Sequence, residues 1–174
     1  SENIDVGTVA GDDAAAGGGR GDGTGFHGNG NDAYVLVTGA GTQVRLAVLK
    51  ADGTLRYSRS AMDDLPIKSI GRTDAAIAPT GEVLVVASVT YDGGPIVTDT
   101  GADVSAVVGR LFDASGNPKG ATFYVSEKEV PSNNPLRARN PRVAWRGNTA
   151  AIVWESLNSG QLVNDAPVNV VAAR

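Results

Sequence analysis

Cysteine is missing from this chain of 174 residues. That excludes zinc held by thiolates, iron–sulfur clusters, haem attached through CxxCH and any disulfide framework. Histidine occurs once, at His27, inside a Gly-rich segment. A Ser-His-Asp site would therefore lack a well-placed base, and neither HExxH nor GxSxG occurs. No run approaches the roughly 20 apolar residues that span a bilayer. No signal peptide is visible at Ser1, which fits a processed start as well as a cytosolic one. Asn-x-Ser/Thr is also absent, so glycosylation gives no hint of compartment. Lys and Arg number 15 against 19 Asp and Glu, a net charge of −4. Binding nucleic acid needs clustered basic residues, and this balance speaks against it.

What remains is a chain of 41% hydrophobic residues and 23 glycines, enough apolar material for one domain. Residues 1–33 are rich in Gly, Asp and Ala. They read as an arm with too little apolar surface to offset backbone ordering entropy alone. Residues 34–174 read as the folded domain, with short apolar runs rich in Val, Ile, Thr and aromatics, punctuated by Gly and Pro. The expected strands are 34–38, 44–49, 55–58, 75–78, 83–90, 104–113, 121–126, 141–145, 149–156 and 168–173. Residues 59–73 read as a long connection, and 61–70 is the best stretch for a short helix, interrupted by Pro66. No segment sustains a 3.6-residue period.

The strand pattern repeats itself. VSAVVGRLFDASGNP at 104–118 parallels QVRLAVLKADGTL at 43–55, and Gly116 aligns with Gly53. Each apolar run closes in a turn, and after a polar stretch a second apolar run follows: EVLVVASV from Glu82 and TAAIVWES from Thr149. A third copy begins at Val168, where VNVVAAR overlies VSAVVGR. A unit of about 60 residues made of strands and turns predicts an all-β, propeller-like stack of four-stranded sheets. About two and a half such sheets fit in this chain. A closed ring needs at least four, so other chains are the expected partners, completing the ring or docking the Gly-rich arm. A chain that stops inside a repeat also favours processing from a longer polypeptide. In the turn at Asp113, the carboxylate is expected to accept backbone N–H groups and Gly116 to take a positive φ. Phe112, Phe123, Trp145 and Trp154 are expected to pack where sheets stack.

The run Phe112-Asp113 through Gly116, Pro118 and Gly120, then Phe123 to Val125, Pro141 to Val143, and Ile152 to Glu155, resembles a tandem repeat of large secreted bacterial proteins. Those proteins are read as propellers, and many are surface, adhesin or hemolysin-type calcium-binding proteins. The resemblance covers about 140 residues from Tyr34 onward. It implies a secreted or cell-surface location, with the periplasm as the alternative. In the first copy Leu49-Lys50 replaces Phe-Asp, and Ala87-Ser88 replaces Trp-Glu, so that copy departs from the pattern.

Two candidate sites follow. Residues 27–35 match the calcium nonapeptide GGxGxDxUx except that His27 replaces the first Gly. Asp22, Asn29, Asn31 and Asp32 are the candidate calcium ligands, although a single imperfect turn supplies few of the six to eight oxygens calcium takes. The second candidate is a ligand-binding strip of Arg137, Arg139, Arg142 and Arg146 with Trp145, suited to an anionic ligand or a glycan. The competing reading of the arginines is a charged strand edge, and that of Trp145 is core. No pair of carboxylates stands out for glycoside hydrolysis. The expected function is non-enzymatic: binding, scaffolding or a subunit of a larger assembly. The alternatives are an accessory subunit or fragment of a secreted enzyme, and a glycan-binding lectin.

Overall fold

The structure is a computed structural model that describes residues 25–29, 33–91, 104–126, 137–157 and 168–173. Among these residues the fold is all-β, with no helix and three antiparallel sheets. The first sheet is β1 (Gly25–Gly28), β2 (Ala33–Ala40), β3 (Gln43–Lys50) and β4 (Leu55–Ser60), in that spatial order. The second repeats the order with β5 (Ile67–Ile77), β6 (Val83–Tyr91), β7 (Val104–Phe112) and β8 (Phe123–Tyr124). The third holds β9 (Arg137–Arg146), β10 (Thr149–Leu157) and β11 (Val168–Ala173). Every neighbouring pair is thus consecutive in sequence, the arrangement that short turns favour.

The second sheet is packed on both faces, which explains why its central strands β6 and β7 are almost wholly apolar. Val83, Val85, Ala87 and Val89 of β6 turn toward the first sheet and join Val35, Val37, Val44, Leu46 and Val48 in one core. Leu84 and Val86, one residue out of step, turn the other way and meet Val143, Ala150, Ile152 and Trp154 of the third sheet. β7 divides likewise, with Ala106, Val108 and Phe112 on one side and Val107 on the other. Phe112 and Trp154 are buried, as the sequence predicts for rings between stacked sheets. Phe123 is not: it is 37% exposed. Its ring lies over Gly109, on a strand of only two residues.

Three sequence readings are revised. Residues 59–73 are not a long connection. β4 runs to Ser60, β5 starts at Ile67, and the intervening residues 61–66 turn without forming a helix. β5 escapes detection because it is irregular, with register shifts between Ile67 and Ser69 and between Ile70 and Thr73. At the second shift Ser88 Oγ accepts from Arg72 N at 2.9 Å and donates to Arg72 O at 3.3 Å, repairing the interrupted ladder. Finally, Gly25–Gly28, read as part of the arm, is β1 and pairs with β2 from Gly25↔Val37 to Gly28↔Tyr34.

The turn chemistry behaves as expected. Asp113 Oδ1 accepts from Ser115 N at 2.9 Å and Asn117 N at 2.7 Å. Gly116 has φ 84° and Gly53, its counterpart in the alignment, φ 83°. Both lie in the turn after the third strand of their sheets. A side chain at Gly116 would also collide with the Tyr57 ring, 2.6 Å from where a Cβ would sit.

Candidate functional site

At one end of the second and third sheets, residues of two turns border a common notch. The turn at Thr80–Gly81 joins β5 to β6, and the turn at Gly147–Asn148 joins β9 to β10. Between them lies a notch of about 200 Å³. Trp145 forms one wall. Its Nε1 donates to Ala76 O at 3.0 Å, and the ring packs beside the core shared by the two sheets. The side chain is half-buried, neither a free surface ring nor a fully enclosed one. Leu111 lies beside it, and Thr80, Glu82, Lys119 and Asn148 form the polar rim. Lys119 Nζ pairs with Glu82 Oε1, and Thr80 Oγ1 donates to Glu82 Oε2 at 3.2 Å. The hydrogen bond from Lys119, with help from Thr80 and the lysine charge, holds the Glu82 carboxyl below the usual carboxylate range.

The arginines do not share this notch. Val143 is buried and Trp145 half-buried against the second sheet, while Arg139, Arg142 and Arg146 are exposed. Arg139 Nε donates to Glu155 Oε2 across the strand pair at 3.0 Å. The strand reaches this alternation through Asn140, whose φ of 53° and neighbour Pro141 mark a kink between Arg139 and Arg142. Trp145 and the arginines therefore lie on opposite faces of the third sheet, and the single ligand strip expected from the sequence separates into two surfaces. β9 is an edge strand, in accord with the charged-edge reading of Arg139, Arg142 and Arg146. The side chain of Arg137 lies outside the described set.

Of the calcium candidates, Asp22, Asn31 and Asp32 lie outside the described residues. Asn29 is within them, and its Oδ1 accepts from Ala33 N at 3.2 Å while its backbone N donates to Ala33 O at 3.1 Å. That oxygen closes the turn between β1 and β2. Among the described residues no cluster of three His, Cys, Asp or Glu could hold a metal.

Two buried polar hubs went unmarked in the sequence reading. Asp74 of β5 is 1% exposed. Its Oδ1 accepts from His27 Nε2 of β1 at 2.9 Å and its Oδ2 from Val143 N of β9 at 3.0 Å. One carboxyl group thus ties the first strands of all three sheets. Arg110 of β7 is 8% exposed. It donates to Asp63 Oδ1, to Ala61 O at 3.3 Å and to Gly120 O at 3.2 Å, and sits 3.2 Å from Asp64 Oδ1. The available signal was a charge beside an apolar run, Arg110 within Val107-Val108-Gly109-Arg110-Leu111 and Asp74 directly before Ala75-Ala76-Ile77.

The carboxylates set a pH dependence. Burial pushes Asp64 up, but hydrogen bonds from Thr122 and the Arg110 charge outweigh it, so its net position is lowered. Hydrogen bonds from Asn117 lower Asp113, and those from Thr54 lower Asp52. A folded-state pKa below the unfolded value gives stability that is full above the unfolded value. That stability is lost as pH falls through the folded one. Thermal melts should therefore hold near neutrality and drop below about pH 4. A Tm that stays level through that acid range would contradict the assignment. No family model matches this chain, and no curated protein sequence matches it.

Proposed function

We propose that this chain is a propeller-type β-repeat module of a secreted or cell-surface bacterial protein, and that it acts by binding and scaffolding rather than by catalysis. The observation that carries the reading is the convergence of first strands at Asp74. β5 packs against β1 and β9, and Asp74 joins all three through side chain and backbone. Among the described residues no comparable packing joins β4 to β8. Sheets that pack closely at their first strands and not at their last support a reading as blades of a radial array. Secretion and bacterial origin rest on the sequence resemblance alone.

Such an array leaves end faces that need neighbours. The second sheet has one on each side. The outer face of the third sheet presents Ala144 and Ala151, both exposed, with Val153 half-buried, between the exposed Arg142 and Arg146. The scaffold reading places another sheet there, from a further chain. Light scattering should then give a defined oligomer, and Ala151→Lys, which adds a cation at the centre of a face that already carries Arg142 and Arg146, should reduce it to a folded monomer whose Tm no longer depends on protein concentration. A wild-type protein that stays monomeric at high concentration would defeat the reading.

A further inference from the structure

We infer that the notch between the second and third sheets is a binding site for a single neutral sugar ring at the end of, or within, a glycan. Three features argue for this occupant. The first is the wall. The Trp145 ring is fixed by its Nε1 bond to Ala76 O, so it offers a rigid apolar plane that loses little entropy on contact. An indole face of this kind suits the C–H side of a pyranose. The second is the rim. Glu82 supplies acceptors, Lys119 donors, and Asn148 both, and Thr80 adds a hydroxyl. Sugar hydroxyls are both donors and acceptors, and a mixed set satisfies them where a uniform one does not. Asn148 is exposed and its amide has no hydrogen-bond partner among the described residues. The third is size and charge. About 200 Å³ admits one ring and not an extended polymer in cross-section. The Glu82 carboxyl beside Lys119 removes the net positive charge that a phosphate or sulfate would require.

Two larger hollows lack this combination. One is lined by Lys50, Asp52 and Arg56, and the other by Arg45, Met62 and Leu65 among others. Neither has an aromatic wall among the described residues. Among the described residues the notch is lined by the second and third sheets and their turns within one chain, so it does not depend on the oligomer proposed above.

The test is a titration of the whole chain with a panel of neutral hexoses, N-acetylhexosamines and their disaccharides, read by intrinsic tryptophan fluorescence. Trp154 is buried, which leaves Trp145 as the reporter at the notch. The expected result is saturable binding in the millimolar range by a subset of the panel. Lys119→Met and Asn148→Ala should each weaken it, by about tenfold for the lysine, with Tm changed little. Arg142→Ser, on the opposite face, should leave it unaltered. No saturable response to any sugar would overturn the inference. So would binding that survives both notch variants, or binding abolished by Arg142→Ser alone.

Discussion

Asp74→Ala should lower the stability of the fold by roughly 3 kcal/mol and Tm by several degrees, the largest loss expected from any polar side chain among the described residues. The reasoning follows the two oxygens. Oδ2 is the acceptor for Val143 N, a buried backbone donor, and alanine leaves that donor unpaired. An orphaned buried donor costs about 1–3 kcal/mol. Oδ1 is the partner of His27, whose side chain is 44% exposed, so water recovers much of that second loss. His27→Gln should accordingly cost less than half as much as Asp74→Ala. Asp74→Asn keeps one acceptor but turns an amide N–H toward the second donor, and should fall between them. Urea denaturation resolves the series, with the midpoint moving and the slope constant. An Asp74→Ala protein as stable as its parent would show that the three first strands are not joined through this group.

Arg110→Met is the second large effect, at roughly 2–3 kcal/mol. Methionine retains an apolar stem beside Phe112, over whose ring the guanidinium sits at 5.9 Å. It cannot donate to Ala61 O, Gly120 O or Asp63. These partners anchor the segment after β4 and the approach to β8, so the loss should be felt at both. Asp64 keeps its bonds from Thr122 but loses the adjacent cation. Its pKa should rise toward the ordinary range, so the part of the acid decline in Tm that Asp64 contributes should become smaller than in the parent. Finding equal stability and an unchanged acid profile in Arg110→Met would remove this residue from the set of structural anchors.

The residues that could be read in advance are those whose role is local or periodic. The Asp113 turn is fixed by its own side chain within four residues. Phe112, Trp154 and the apolar runs of β6 and β7 announce stacked sheets because burial on two faces abolishes alternation. The residues that could not be read are those whose meaning comes from a distant partner. Asp74 and Val143 are 69 positions apart, and Arg110 and Asp63 are 47 apart. β1 was concealed because a Gly-rich strand has no hydrophobic signature; its pairing with β2 comes through backbone groups. β5 was concealed by its bulges, and the rim of the notch by its assembly from separate turns. Trp145 was singled out, but the sequence could not reveal which face of its strand looked inward.

The doubly covered second sheet has a kinetic corollary. β6 lies between β5 and β7 and has neighbours above and below, so its amides have neither a wet side nor a free edge. Local fraying at the rims cannot reach them. Their exchange with solvent deuterium therefore waits on opening of the whole unit, which makes the Val83–Tyr91 segment the innermost clock of this molecule.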